Sequence, residues 1–206
     1  MQVKLESQSP VNDQAAKAAT GKTLKEWFEA LDQRGGPAQG RRAINDWLFG
    51  ECKVDPWWCS TINIEYEAAR GVVEKDKRPK GYTICATKTI AAPLELVYNA
   101  WSDPKQLDKW FGAKNKADVK DGGTFSNADG DQGTYKRVRA NKDLRFLWEG
   151  ASYTPGSIVD VVFQDKGKGK TYVQITHDRI QTRAEADGLR AGWGEALDKL
   201  KAQLEG

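Results

Sequence analysis

His177 is the only histidine among the 206 residues, and it is the one side chain whose ordinary charge change falls near neutral pH. A hydrolytic triad would need it beside a nucleophile and an orienting acid, and zinc would need several nitrogen or sulfur ligands. Cys52 and Cys59 lie in a distant stretch with no histidine to join them, so neither a triad nor a metal site is expected, and no cofactor motif is present. Glu149 and Asp160 could act as a carboxylate pair in acid–base work. Strand alternation turns both outward, opposite Trp148 and Val159, which reads them as surface charges. Thr20-Gly21-Lys22-Thr23 ends like a phosphate loop, yet Ala16 stands where the first glycine belongs and no strand precedes it. Asn127 to Asp131 lacks the spaced oxygens and closing glutamate of a calcium loop and reads as a hairpin turn. Lys166-Gly167-Lys168-Gly169-Lys170 reads as a solvated hairpin tip.

The residue types favour binding over bond making. Eight tryptophans are present, and large aromatics dominate buried surface whether they fill a core or line a cavity. Alternation puts Val159, Val161 and Phe163 on one face of their strand, and Val173, Ile175 and His177 on one face of the next. Phe146 shares a face with Trp148, and Tyr135 with Arg137. From the last helix, Leu189, Trp193 and Leu197 look towards the sheet. A mostly apolar lining with a few polar groups is what small-molecule sites have; the alternative is a core that these same residues fill. The expected lining is Trp110, Phe125, Tyr135, Phe146 and Trp148, continued by Phe163, Trp193 and Leu197. Tyr135, Arg137 and His177 are expected to orient the ligand by hydrogen bonds. Gly188 and Gly192, four apart on one helix face, would leave room for a ligand or let a strand approach.

These residues need elements to hold them. Residues 12–71 read as a small helical domain. Asn12 or Asp13 caps a helix through Ala19, and Thr23 caps another carrying Leu24, Trp27, Phe28 and Leu31. Arg41 to Phe49 forms a third, and Asp55-Pro56 opens a fourth. Residues 72–81, charged and glycine-flanked, read as a linker. From 82 to 206 the period alternates. A strand over Tyr82–Ile90 leads to a helix from Pro93 to Trp101, then a short helix from Asp103-Pro104 to Trp110-Phe111-Gly112. Strands are predicted at Ala113–Lys120, Thr124–Ser126, Gly133–Ala140, Leu144–Glu149, Ser157–Gln164 and Thr171–His177, separated by turn formers. A helix over Arg183–Leu204 closes the chain.

The formal net charge is +3, weakly positive on both sides of residue 80, which argues against a dedicated nucleic-acid binder. No stretch approaches the roughly 20 apolar residues of a membrane helix. Residues 1–10 lack the apolar core of a signal peptide. Three cysteines without a CxxC spacing fit a reducing cytoplasm.

Ala92-Pro93, Ala100-Trp101-Ser102-Asp103-Pro104, Trp110-Phe111, Gly122-Gly123-Thr124-Phe125 and Leu144-Arg145-Phe146 fall in an ordered series. Val159-Asp160-Val161, Thr176-His177 and Gly192-Trp193 complete it. In this series residues 82–206 resemble the SRPBCC (START/Bet v 1-like) superfamily, in its branch related to the activator of the ninety-kilodalton heat-shock protein ATPase. Residues 12–71 are similar to a small uncharacterised bacterial helical domain through Thr20-Gly21-Lys22, Trp27, Leu31-Asp32, Trp57-Trp58, Tyr66-Glu67 and Ala69-Arg70-Gly71. The resemblance implies an α+β helix-grip fold, a seven-stranded antiparallel sheet curled round the last helix, preceded by a small all-α bundle. It implies no single activity. The leading expectation is a non-catalytic protein holding a small apolar or aromatic molecule between sheet and helix. A polyketide-type cyclase or self-resistance enzyme is the second, and a co-chaperone-like protein-binding module the third. The helical domain would pack beside the cavity mouth or serve as a homodimer or partner surface.

Overall fold

The computed structural model describes residues 1, 3–150 and 152–206. It comprises two compact units, one of residues 7–82 and 181–183, the other of residues 1–6, 83–180 and 184–206.

The helical unit is built from α1 (Asp13–Thr20), α2 (Leu24–Gln33), a single 3-10 turn (Gly36–Gln39), α3 (Gly40–Gly50) and α4 (Pro56–Ala69). Three of the starts, those of α1, α2 and α4, are capped by side chains. The Asn12 side chain accepts from the Ala15 amide, and Thr23 and Glu26 form a reciprocal capping box. Asp55 accepts from the amides of Trp57 and Trp58, with Pro56 in the first turn where its missing N–H costs nothing. Trp27, Leu31, Ile44, Leu48, Trp58 and Ile62 form the core. Residues 72–81, predicted as a solvated connector, fold back on α4. The Val72 amide donates to the Glu67 carbonyl at 2.9 Å, and Lys80 pairs with the buried Glu67 carboxylate at 3.1 Å.

The sheet unit contains β1 (Tyr82–Ile90), α5 (Leu94–Ser102), α6 (Pro104–Leu107), β2 (Lys116–Ala117), β3 (Thr124–Ser126), β4 (Asp131–Arg139), β5 (Asp143–Gly150), β6 (Ser157–Gly167) and β7 (Lys170–Ile180). The long α7 (Arg183–Glu205) follows. The seven strands lie in the order β1-β7-β6-β5-β4-β3-β2, with antiparallel pairing from β2 through β7. This is the helix-grip fold. Val159, Val161, Val173, Ile175 and His177 are all buried on the inner face, as their alternation predicts.

Two elements are shorter than the sequence suggests. The helix after Asp103 ends at Leu107; beyond it the chain turns, with Trp110 and Phe111 both donating to the Leu107 carbonyl. The strand expected over 113–120 shrinks to Lys116–Ala117. Its approach is committed elsewhere: the Asn115 amide donates to the Asp108 carboxylate at 2.7 Å, and the Ala113 carbonyl accepts from Ala128 at 2.9 Å.

Candidate functional site

Between α7 and the sheet the side chains meet ring against ring. Trp193 crosses Trp148 with centroids 5.2 Å apart and stacks on Phe111 at 5.8 Å. Trp101 lies 4.7 Å from Trp110 and 5.9 Å from Phe163. Phe125 meets Phe146 edge-on at 5.2 Å, and Tyr135 meets the same ring at 5.7 Å. Gly133 permits this layer. A Cβ there would sit 1.9 Å from the Leu147 carbonyl oxygen and 2.5 Å from the Phe125 ring. Of the ten predicted site residues, ring contacts link Trp110, Phe125, Tyr135, Phe146, Trp148, Phe163, His177 and Trp193, and Leu197 is buried as they are.

Arg137 stands apart. A β-bulge between Tyr135 and Arg137 shifts the register and breaks the strict alternation that put the two on one face. Arg137 instead pairs with Asp143 at 2.8 Å and with Asp160 at 3.4 Å, and Arg145 joins Asp160 at 2.9 Å. It belongs to a charged lattice on the outer face. Neighbouring Arg139 also binds Asp143; the two guanidiniums offset burial and hold that carboxyl below its usual range.

His177 is fully buried and fully engaged. An indole N–H can only donate, so the 3.2 Å contact from Trp193 Nε1 makes His177 Nδ1 the acceptor. The ring proton then sits on Nε2 and is donated to Ser157 Oγ at 2.9 Å. Burial pushes the imidazole pKa down to about 3, so the ring is neutral at pH 7. Its place in the fold is a link between helix and sheet.

Two other indoles lack what Trp193 has. Trp101 Nε1 and Trp148 Nε1 are buried without a hydrogen-bond partner among the described residues. An unpaired buried donor costs roughly 1–3 kcal/mol, and two in one interior call for an acceptor. The free space there is small. A cavity of about 20 Å³ lies against Trp101, Leu107, Phe111 and Asn115 on one side, and Phe125, Tyr135, Leu144 and Phe146 on the other. That holds about one water molecule. The expected hollow is thus largely occupied by its own lining.

The larger opening is at the rim. A cleft of about 340 Å³ is walled by Trp110, Phe111 and Gly112 and floored by Gly192 and Ala196 of α7. Asp129, Glu195 and Lys199 bring charge to its edge, and Met1 closes one side. Phe111 lines both spaces. In the sequence Trp110-Phe111 stands as a motif, with Trp110 alone among the expected lining residues. Trp101, one helical turn from Val97, reads there as core. Met1 carried no signal at all. The glycine face of α7 found an occupant in the chain itself: a Cβ at Gly188 would meet the Lys4 carbonyl oxygen at 2.4 Å, and one at Gly192 would meet Val3 at 2.8 Å.

No helix among the described residues is long and apolar enough to cross a membrane. No curated protein matches the chain. Among solved structures, CalU16 from Micromonospora echinospora is 24% identical with a TM-score of 0.54, covering 59% of this chain and 75% of its own. An HSP90 activator from Plasmodium falciparum is 23% identical, TM-score 0.53, covering 61% and 97%. An Aha1 dimer from Colwellia psychrerythraea is 22% identical, TM-score 0.53, covering 60% and 96%. These likenesses establish a shared fold. The model of one family matches residues 91–205, more than half of the sequence, and the chain belongs to that family, the Activator of Hsp90 ATPase homolog 1-like proteins.

Proposed function

We propose that the sheet unit is a receptor for a small aromatic molecule, which lies against Trp110 and Phe111 in the rim cleft and reaches inward past Phe111. The observation that carries this reading is the 340 Å³ cleft sharing Phe111 with the aromatic interior. Its volume is at the lower end of the roughly 300–1,000 Å³ range of ligand pockets. Behind Phe111, the unpartnered Trp101 and Trp148 donors favour a ligand bearing a carbonyl or ether oxygen. A reducing cytoplasm is the proposed setting, in keeping with three free cysteines. Titration with Nile red, a flat neutral probe with a carbonyl, tests this. Saturable fluorescence that weakens at least tenfold in Trp110→Ala supports it; no saturable binding, together with no stabilising hit in an aromatic library, sinks it.

The near-complete filling of the interior favours a second reading, a protein-binding module. The family's description and the HSP90 activator from Plasmodium falciparum give it a candidate partner. Stimulation of an HSP90-type ATPase by the purified chain would support it, and lack of both stimulation and complex formation would remove it. An enzyme is the least supported reading, since both nitrogens of the single histidine are engaged.

A further inference from the structure

The outer face of the sheet carries a charge arrangement that strand pairing alone does not favour. Arg137 on β4 is the direct cross-strand partner of Arg145 on β5, and like charges placed opposite one another work against a sheet. In the neighbouring row Arg139 faces Asp143. Across β5, Asp160 of β6 faces Arg145, and Val162 faces Asp143. Three guanidiniums thus share two carboxylates. The buried Asp143 takes Arg139 on both oxygens and Arg137 Nε on one. Asp160 holds Arg145 Nη1 at 2.9 Å. The forks themselves stay open, with 40%, 48% and 38% of the Arg137, Arg139 and Arg145 side chains exposed. Arg137 Nη1, Arg139 Nη1 and Arg145 Nη2 donate to nothing among the described residues.

We propose that Arg137, Arg139 and Arg145, with Val162 beside them, form a docking surface for an acidic segment of a partner protein. Opposed like charges are a cost to the isolated chain and become a gain only when a counter-charge arrives. A guanidinium is planar, and its fork matches a carboxylate through two parallel bonds. Asp143 and Asp160 already hold the three forks in place, so little side-chain freedom is left to lose on binding. The same two carboxylates would repel a phosphate backbone, and a net charge of only +3 also weighs against nucleic acid. Val162, 43% exposed in the row beside Asp143, offers apolar contact, which fits a polypeptide better than a polyphosphate. The surface lies on the face opposite Phe146 and Val159 and shares no residue with the rim cleft.

Fluorescence anisotropy of the full chain tests this with three labelled probes: a peptide of Glu-Glu-Leu repeats, its Gln-Gln-Leu counterpart, and single-stranded DNA of the same charge as the first. The acidic peptide is expected to bind saturably and at least tenfold more tightly than either of the others. Its affinity should fall at least tenfold in Arg139→Gln and in Arg145→Gln. Arg145→Gln is the safeguard should the other variant fail to fold, because Asp160 keeps Arg137 as a partner. Lys168→Gln, which removes the same charge from the exposed turn between β6 and β7, should change the affinity less than twofold. Absence of saturable peptide binding overturns the proposal. Equal losses in Arg145→Gln and Lys168→Gln also overturn it, since the effect would then be overall charge. DNA binding as tight as the peptide's overturns it in favour of a nucleic-acid surface. Each of these results leaves the small-molecule reading of the cleft standing.

Discussion

Tryptophan is used differently in the two units. In the helical unit the rings of Trp27, Trp47 and Trp57 each meet something polar. Trp27 Nε1 donates to Thr20 Oγ1 at 2.8 Å, and Lys22 lies 4.9 Å from its ring centroid. Arg34 covers Trp47 at 4.6 Å. In the sheet unit, Trp110 donates to the Ala100 carbonyl at 2.9 Å and Trp193 to His177, but Trp101 and Trp148 donate to nothing among the described residues. A satisfied indole is a structural part. An unsatisfied one, in an interior that also holds a void, marks where a second molecule could lower the free energy.

The largest effect expected is from Trp193→Ala. It removes a fully buried ring and leaves the His177 Nδ1 acceptor unpaired. A loss of about 3–5 kcal/mol is expected, read from urea unfolding of the sheet unit with the helical unit's signal unchanged. Transmission of the loss to both units alike would show that they do not unfold independently.

Acid should separate the units next. His177 titrates near 3 when folded and near 6.5 when unfolded, so below pH 6.5 the unfolded state binds the proton first. Stability contributed by the neutral ring is complete above pH 6.5. It falls by about 1.4 kcal/mol per pH unit on the way down to pH 3. Unfolding followed from pH 7 to 4 should show this slope in the sheet unit, and His177→Gln should flatten it. An unchanged slope in that variant would assign the acid sensitivity to other groups.

The smallest effect bears most directly on the contrast. Trp27→Phe and Trp148→Phe remove similar volumes, but only the first breaks an indole hydrogen bond. Trp148→Phe is therefore expected to be milder by about 1 kcal/mol, measured by chemical denaturation without ligand. Equal losses would mean that the Trp148 donor already has a partner, water included.

Much of this was legible in the chain because it rests on local rules. Thr23 with Glu26 and Asp55 with Pro56 announce helix starts through bonds formed within a few residues. The alternation in Val159-Asp160-Val161 assigns faces because a strand repeats every two residues. Arg137 defeated the same rule. One extra residue at the bulge is enough to reverse a face, and no residue type at that point gives notice of it. The two-residue β2 escapes the local rules for a related cause: the Asn115 amide and the Ala113 carbonyl before it bond to Asp108 and Ala128 rather than to a neighbouring strand.

The sequence by itself determined the elements, the helix-grip order and the identity of the inward aromatics, since periodicity and capping act over short spans. Only the tertiary structure decided that those aromatics nearly fill the interior, that room opens at the rim beside Phe111, and that Met1, Val3 and Lys4 cover the glycines of α7. Close packing is a property of shapes brought together from distant parts of the chain, and a string of residue types does not record how much space is left when they meet.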